Sequence, residues 1–532
     1  MSKITFIFFL ILISNSVTAQ KPLPTDYLSN EFHKGRRDAL RKSMPANSVA
    51  VIFAYPERVF SRDINYAYHP NPDLYYFSGY KEPNAVLLIF KEEQQGGDGS
   101  YNEMFFIRKR SPLEEQWTGR RLGVEGVKAQ LGFRQVYNSD EFTSFPIDFT
   151  KYSTVLYDVF PDDIGSGMLQ SLMKAFRNKA GIKQVENKNV MQDFNIISNW
   201  TTPSNLAARI TRLKTRMIEI DDNDYKTNPL LLELINQPDS ITLASVINKI
   251  KTNPSPTNEY NKLVSALREI KTKEELALLR KSVFLSAIAH EEIMKAIQPN
   301  MSETELWGLF EYVHKKYGAE GEGYPPIVGA GANGCILHYI ENNVTKVKNQ
   351  MVLMDVASEY HGYSADITRT VPANGKFTPQ QKEIYQLVYD AQEAVFKICK
   401  EGTAFSDLNE KSIEVLARGL LRLGIIKDVK EILRYSLHSC SHHMGLDVHD
   451  KSVTPILKQN MVITVEPGIY IPKGSPCDPK WWDIAVRIED DVIIGKNNCE
   501  ILSIAAPRKV EDVEKTAAKK SIFNELVLPK LK

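Results

Sequence analysis

Met351-Val-Leu-Met-Asp-Val-Ala-Ser-Glu-Tyr-His-Gly-Tyr-Ser-Ala-Asp-Ile-Thr-Arg-Thr-Val371 is the stretch whose reading decides the fold. An apolar run, Met351 to Met354, ends on Asp355. A polar turn with Gly362 follows, and the chain returns through Asp366, Ile367, Thr368 and Arg369. The pattern predicts a hairpin with one carboxylate ending the outgoing strand and a second on the returning strand. A buried carboxylate without a partner is costly, or it takes up a proton and becomes neutral. Two of them on one hairpin require a cation, and a cation requires further ligands.

Two more carboxylates occupy strand-like runs. Met461-Val-Ile-Thr-Val-Glu466-Pro467-Gly468 ends a strand on Glu466. Ile484-Ala-Val-Arg-Ile-Glu489-Asp490 alternates with period two, so Ile484, Val486 and Ile488 share one face and Ala485, Arg487 and Glu489 the other. Upstream lies Leu437-His-Ser-Cys-Ser-His-His-Met-Gly-Leu-Asp-Val-His449, and His338 stands in Asn333-Gly-Cys-Ile-Leu-His-Tyr339. Each has a plain reading taken alone. A lone His is ordinarily a satisfied core or surface residue, and an Asp before a turn is ordinarily a turn residue. Together, Asp355, Asp366, His442, Glu466 and Glu489 form an oxygen-rich donor set. That chemistry suits Mn²⁺, Co²⁺ or Zn²⁺ in a paired site better than a structural zinc. Four carboxylates also offset the charge of two divalent ions.

The rest of the composition narrows the class. A chain of 532 residues is long enough for roughly three or four domain equivalents. Lys and Arg total 66 against 65 Asp and Glu, so no broad basic field exists for a nucleic acid. Residues 1–19 read as a secretory signal peptide: Lys3, an apolar core from Ile4 to Ile13, and a small-residue site at Val17-Thr18-Ala19. The apolar run is short for a membrane span of ~20 residues. The expectation is an exported chain, periplasmic or secreted, with no stable membrane insertion once mature. Five cysteines, Cys335, Cys399, Cys440, Cys477 and Cys499, show no zinc spacing and read as buried thiols, with a Cys477–Cys499 disulfide left open.

Along the chain, residues 27–190 read as α/β. Glu31 to Met44 predicts a helix, and Ser48 to Ala54, Ala85 to Phe90 and Glu103 to Arg108 predict strands. Tyr66 to Gly79, rich in aromatics, Pro and Gly, reads as a packed loop, at a substrate entrance or subunit contact if it has a function. Residues 191–258 read as helical segments joined by polar loops, an insertion or linker without evident chemistry. In 259–515, Thr272-Lys-Glu-Glu275 is a capping box, Ser302-Glu-Thr-Glu305 opens the next helix, and Thr378-Pro379 and Ser406-Asp-Leu-Asn409 open another pair. Each helix pair precedes strands, which predicts an internal two-fold repeat. Residues 516–532 read as a tail.

In order and local context the five ligands resemble the signature of the M24 pita-bread metallopeptidases, and within them the aminopeptidase P group. The matching motifs are Asn333 to Tyr339, Ser364-Ala-Asp-Ile-Thr-Arg-Thr370, Gly445-Leu-Asp-Val-His449, Val465-Glu-Pro-Gly-Ile-Tyr470 and Arg487-Ile-Glu-Asp-Asp491. Arg36 to Gly123 resembles the creatinase-like N-terminal domain of that group, through Tyr75-Tyr-Phe-Ser-Gly79 and Gly119-Arg-Arg-Leu-Gly123. One departure is Asp355-Val356-Ala357, where the family commonly has Asp-Ala-Gly.

The resemblance implies an α/β creatinase-like domain followed by a pita-bread catalytic domain with a pseudo-two-fold repeat. It implies two divalent ions, Mn²⁺ first and Co²⁺ or Zn²⁺ next. Asp355 would hold one ion, His442 and Glu466 the other, and Asp366 and Glu489 would bridge them. A hydroxide shared by the ions would attack the carbonyl preceding proline, with Glu466 as proton shuttle. His338 and His449 would bind the substrate carbonyl and stabilise the tetrahedral intermediate, and His438 would contact the proline side. Arg487 would orient carboxylates by bidentate pairing at the substrate site, with Tyr470 behind it. The expected substrates are peptides with proline second, and the expected assembly is a dimer or tetramer. Prolidase, confined to Xaa-Pro dipeptides, shares these ligands and is the first rival. A non-catalytic peptide-binding module of the same fold is the second.

Overall fold

The computed structural model describes residues 25–526 and 528, apart from 98, 162, 164, 184–186 and 253–254. The expected signal peptide lies outside the described residues.

The N-terminal domain is built on a five-stranded mixed sheet. Its order is Val136–Asn138, Gly99–Ile107, Val86–Gly96, Ser48–Phe53, Thr154–Tyr157. Ser48–Phe53 is antiparallel to Val86–Gly96 and parallel to Thr154–Tyr157. Ser48–Phe53 is buried at every residue because both of its faces are covered. Ala50 and Ile52 pack with Phe32 and Leu40 of the helix Asn30–Ser43, while Val49, Val51 and Phe53 pack with Leu169, Leu172 and Phe176 of Met168–Ala180. The second and third strands outrun their apolar segments as a polar ribbon pairing Gln94 with Tyr101.

Tyr66 to Gly79 differs from its expected loop form. Pro72–Ser78 is a helix with every residue buried. Asn71 caps it by accepting from the Asp73 and Leu74 amides, Pro72 occupies its first turn, and Gly79 ends it at φ 73°. Tyr75 and Tyr76 of this helix join Leu279, Tyr360, Tyr363 and Ile367 in a core shared with the C-terminal domain.

Between the domains, the helices Lys188–Trp200, Leu206–Glu219, Asn223–Lys226, Pro229–Asn236 and Ser240–Thr252 enclose an apolar cluster of their own, with Val190, Ile197, Leu213, Leu234 and Val246. Three helices run across the composition breaks at 190/191, 258/259 and 515/516: Lys188–Trp200, Pro256–Arg268 and Val510–Ala517. A shift in polarity marks where the solvated face begins, not where the hydrogen-bond ladder stops.

The C-terminal domain repeats one plan twice. The helices Lys273–Ala296 and Glu303–Lys316 precede the sheet Thr368–Pro372, Met351–Asp355, Ile327–Ala330. The helices Pro379–Phe396 and Phe405–Arg422 precede the sheet Val462–Val465, Asp490–Ile494, Cys499–Ile501 and the pair Gly468–Ile471, Ile484–Arg487. The capping boxes at Thr272/Glu275 and Thr378/Gln381 are both formed. The halves join where the Glu489 amide donates to the Thr368 carbonyl and the Arg487 amide to Thr370 Oγ1. Among the described residues no helix is long and apolar enough to cross a membrane. All five cysteines are free, so no Cys477–Cys499 bridge is present.

A buried ion cluster ties the two domains. Asp73 receives Arg268 Nη1 at 2.6 Å and Lys451 Nζ at 2.7 Å. Burial alone would raise the Asp73 carboxyl, but Lys451 and Arg268 outweigh it and hold it at about 2. An unfolded Asp titrates near ~4. The stabilisation is therefore complete above pH ~4 and is lost as pH falls through the folded value. Urea midpoints measured from about pH 5 down to about pH 2 should fall more steeply for wild type than for Asp73→Asn, by roughly 2 kcal/mol of stability. Equal slopes would contradict the ion pairing.

Candidate metal centre and active site

The outgoing strand of the hairpin delivers Asp355 opposite Thr368. The turn is tight because His361 and Gly362 both have positive φ, 51° and 86°. A Cβ at Gly362 would also press on the Tyr75 ring at 3.0 Å. Asp366 does not sit on the returning ladder. It lies in the break between Tyr363–Ser364 and Thr368–Pro372, and its amide donates to Asp491 Oδ2 at 2.9 Å. Glu466 follows the strand Val462–Val465, and Glu489 lies between Ile484–Arg487 and Asp490–Ile494. All four carboxylates thus stand at strand ends or breaks, where side chains of both halves can turn toward one point.

His442 comes from the irregular segment after the second helix pair. Its Nδ1 lies 3.0 Å from the His443 carbonyl, which leaves Nε2 facing Asp366 Oδ2 at 3.3 Å and Glu466 Oε1 at 3.4 Å. A backbone carbonyl on one ring nitrogen fixes the tautomer that presents the other as a ligand. Ligand atoms of Asp366, His442 and Glu489 lie within 4.8 Å of one another.

The charges explain what belongs there. Burial pushes the Asp366 carboxyl upward; His442 opposes this, and Asp355 and Glu466 add to it. Glu489 is pushed well above the carboxylate range by burial and then by Asp366, Glu466 and Asp355. Burial disfavours charge on His442, yet Asp366 and Glu466 outweigh it and raise the ring to about 9. Arg487 is the guanidinium that answers this cluster: Nη2 reaches Asp355 Oδ2 at 2.5 Å. Buried acids that raise one another by repulsion mark a cavity short of positive charge. The donors, four carboxylates and one imidazole, match hard or borderline divalent ions, so the residues fit the metal pair that the resemblance implies.

The other expected residues are placed as follows. The His449 ring lies over His442 at a tilt of 32°, with ring centroids 4.0 Å apart. Burial and the neighbouring His442 push it down to about 4, so it is neutral at neutral pH. His438 sits with Nδ1 at 3.3 Å from Glu466 Oε2 and Nε2 at 2.7 Å from the Tyr470 hydroxyl. His338 is exposed, in the turn after the 3₁₀ segment Gly331–Cys335, near enough to influence the charge on His449.

Arg487 requires a correction. Its fork is not bidentate on one carboxylate. Nη2 takes Asp355, Nη1 takes the Tyr470 hydroxyl at 2.9 Å, and Nε takes Thr368 Oγ1 at 3.0 Å, with Glu489 Oε2 at 3.9 Å. With its donors engaged and its side chain 5% exposed, it braces ligands instead of offering a face to substrate.

Four supporting groups escaped the sequence reading. The Tyr324 hydroxyl donates to Asp355 Oδ1 at 2.6 Å, and Thr368 Oγ1 to Glu489 Oε2 at 2.6 Å. Thr464 Oγ1 donates to Glu466 and accepts from the His442 amide. Asp491 holds the Asp366 amide. A spacing of two could have flagged Thr464 and Thr368, each two residues from a candidate ligand acid. Nothing local marks Tyr324.

Residues 277–496 match Metallopeptidase family M24, and residues 33–157 match the aminopeptidase P N-terminal domain. Xaa-Pro aminopeptidase of Escherichia coli (strain K12) is 31% identical over 504 residues, covering 92% of this chain and 97% of that protein. The chain belongs to metallopeptidase family M24. The structure of E. coli aminopeptidase P with the inhibitor Pro-Leu superposes with a TM-score of 0.71 at 29% identity, over 92% of this chain and 98% of that one. A zinc-substituted form of the same enzyme with product superposes at 0.69 and 28% identity, with the same coverage. The pita-bread catalytic domain preceded by a creatinase-like α/β domain is thus the architecture of this M24 chain. Divalent metal binding accompanies the family. The departure at Val356 and Ala357 is absorbed by the core: both are fully buried, Val356 among Val328, Met354 and Ile488 and Ala357 beside Tyr360 and Tyr363.

Proposed function

We propose that this M24 peptidase is an aminopeptidase that removes the N-terminal residue of peptides with proline second. The observation that carries this reading is the convergence of Asp355, Asp366, His442, Glu466 and Glu489 from both halves of the domain, with His338, His438 and His449 around them. Asp355 on one side, and His442 with Glu466 on the other, would hold two divalent ions, with Asp366 and Glu489 between. Mn²⁺ suits the four-carboxylate set best; Co²⁺ or Zn²⁺ would also fit. Bound there, such ions supply a water acidified toward neutrality and an electrophile for a carbonyl oxygen.

The chain's own residues do the rest. The oxygens of Asp366 and Glu489 would line the point where a peptide's free α-amino group docks, which would confine attack to the N-terminus. His449, a solvent-accessible ring lying over His442, can donate from its neutral form to the oxygen that gains charge as the carbonyl becomes tetrahedral. His338 at the rim can reach the same carbonyl. Glu466, whose ionised form His438, His442 and Arg487 favour against burial, would take a proton from the attacking water and pass it to the leaving proline nitrogen. His438, braced by Tyr470, would contact the proline side of the substrate. Arg487, Tyr324, Thr368 and Thr464 hold the ligands' rotamers. An Xaa-Pro bond lacks the N–H that proteases reading an extended backbone require, which gives a dedicated site its purpose.

We read the chain as exported, on the strength of residues 1–19, and as a homo-oligomer. The test of function is metal analysis joined to a peptide panel. Protein loaded with two equivalents of Mn²⁺ should cleave Xaa-Pro-Yaa peptides at least as well as Gly-Pro. A strong preference for the dipeptide would make it a prolidase. Metal binding without any cleavage would make it a peptide-binding module.

A further inference from the structure

His449 sits in a loop without regular secondary structure, yet its ring must be held against a substrate carbonyl. The loop closes on itself: the Asp450 amide donates to the His443 carbonyl at 2.8 Å, and the Gly445 amide to the Asp447 carbonyl at 3.0 Å. A Cβ at Gly445 would overlap the Asp450 carboxylate, so the loop is wound tightly around that side chain.

The remaining contacts lead outward to Arg268, the last residue of the helix Pro256–Arg268 and 1% exposed. Its Nη2 reaches Asp447 Oδ2 at 2.7 Å and Asp450 Oδ1 at 2.5 Å. Lys271 Nζ takes the other Asp450 oxygen at 2.8 Å. Arg268 Nη1 reaches Asp73 Oδ1 at 2.6 Å, on the buried helix of the N-terminal domain. One guanidinium therefore grips the residue two before His449 and the residue just after it, and is itself anchored in the other domain. Buried ion clusters are a poor source of stability compared with apolar packing, because each charge loses its water. What such a cluster supplies is a defined geometry, and the geometry defined here is that of the His449 loop.

We propose that Arg268 is a positioning residue for His449, and that through Asp73 the N-terminal domain forms part of the catalytic apparatus. This rests on the Xaa-Pro aminopeptidase reading given above. Arg268 touches neither substrate nor ligands; it acts by keeping the His449 ring within the small displacement that hydrogen-bonded catalysis tolerates.

The test is a double-mutant cycle on the full-length, Mn²⁺-loaded protein. Wild-type turnover of an Xaa-Pro-Yaa peptide is the reference, and an inactive wild type overturns both readings. Arg268→Lys keeps the charge but loses the fork. It should lower kcat about tenfold or more with KM within about twofold, and by less than about twofold in the His449→Ala background, with metal content unchanged in both. Asp447→Asn, at the partly exposed end of the cluster, goes through the same cycle, so the test stands even if Arg268→Lys fails to fold. Unaltered kcat in an active wild-type background, or equal fold-losses with and without His449, would overturn the positioning role while leaving the aminopeptidase reading intact.

Discussion

Asp366→Ala, and separately Glu489→Ala, should lower kcat/KM for an Xaa-Pro peptide by about 10³-fold or more, several kcal/mol of barrier. These two side chains lie at the centre of the cluster, with ligand atoms within 4.8 Å of each other and of His442. Each contributes from a break in a strand, so no neighbouring residue of its own segment can replace it. Removing either also unbalances what remains. Without Glu489, Thr368 Oγ1 loses its acceptor, and that hydroxyl is also the acceptor for Arg487 Nε. Without Asp366, His442 Nε2 loses one of its two carboxylate neighbours. The variants should fold, because each deletion relieves mutual repulsion among buried acids; Asp366 and Glu489 both have carboxyls pushed upward by their neighbours. Metal analysis beside the kinetics should show fewer than two ions per chain. Near-normal turnover in either variant would overturn the ligand assignment.

That asymmetry, sites that cost stability in order to bind, is also why so much of the centre was legible in the sequence. Acids at the ends of apolar runs break the pattern of a core strand, and Asp355, Glu466 and Glu489 stand out for that reason. The helix starts were equally legible where side chains cap them, as at Thr272 and Thr378. The helix Phe405–Arg422 shows the converse: its cap residue, Ala404, makes no side-chain bond, and the start falls one residue before the expected Ser406. The buried helix Pro72–Ser78 was harder. Its Asn71, Pro72 and Gly79 carry ordinary start and stop signals, but seven residues buried on every side show no amphipathic period, so aromatics beside Pro and Gly read as loop.

What the sequence could not show was contact between segments far apart in the chain. Tyr324 reaches Asp355 across 31 residues, and Asp491 reaches the Asp366 amide across 125. The Arg268 cluster joins positions 73, 268, 447 and 450, none of which stands in an unusual local pattern. Arg487 was rightly placed on the ligand face by alternation. Its partners were not, because the direction of a guanidinium fork depends on which hydroxyls the opposite half brings, here Tyr470 and Thr368.

His449→Ala separates the two kinds of residue in this centre. It should retain both metal ions and lose about 10²–10³ in kcat, the range for removing one donor to a developing oxyanion. The geometry sets both halves of that expectation. His442, not His449, turns Nε2 toward Asp366 and Glu466 and is fixed from behind by the His443 carbonyl. His449 lies over the His442 ring at 4.0 Å, so it shields that ligand without replacing it. Desolvation, and next the neighbouring His442, lower its pKa and favour the neutral ring that can donate. Its deletion should therefore leave the shape of the neutral-pH rate profile unaltered while lowering it throughout. KM should move far less than kcat, since the interaction strengthens only as the carbonyl oxygen gains charge. If His449→Ala instead loses metal, the roles of His442 and His449 are exchanged, and the ring stacked behind the cluster is the ligand.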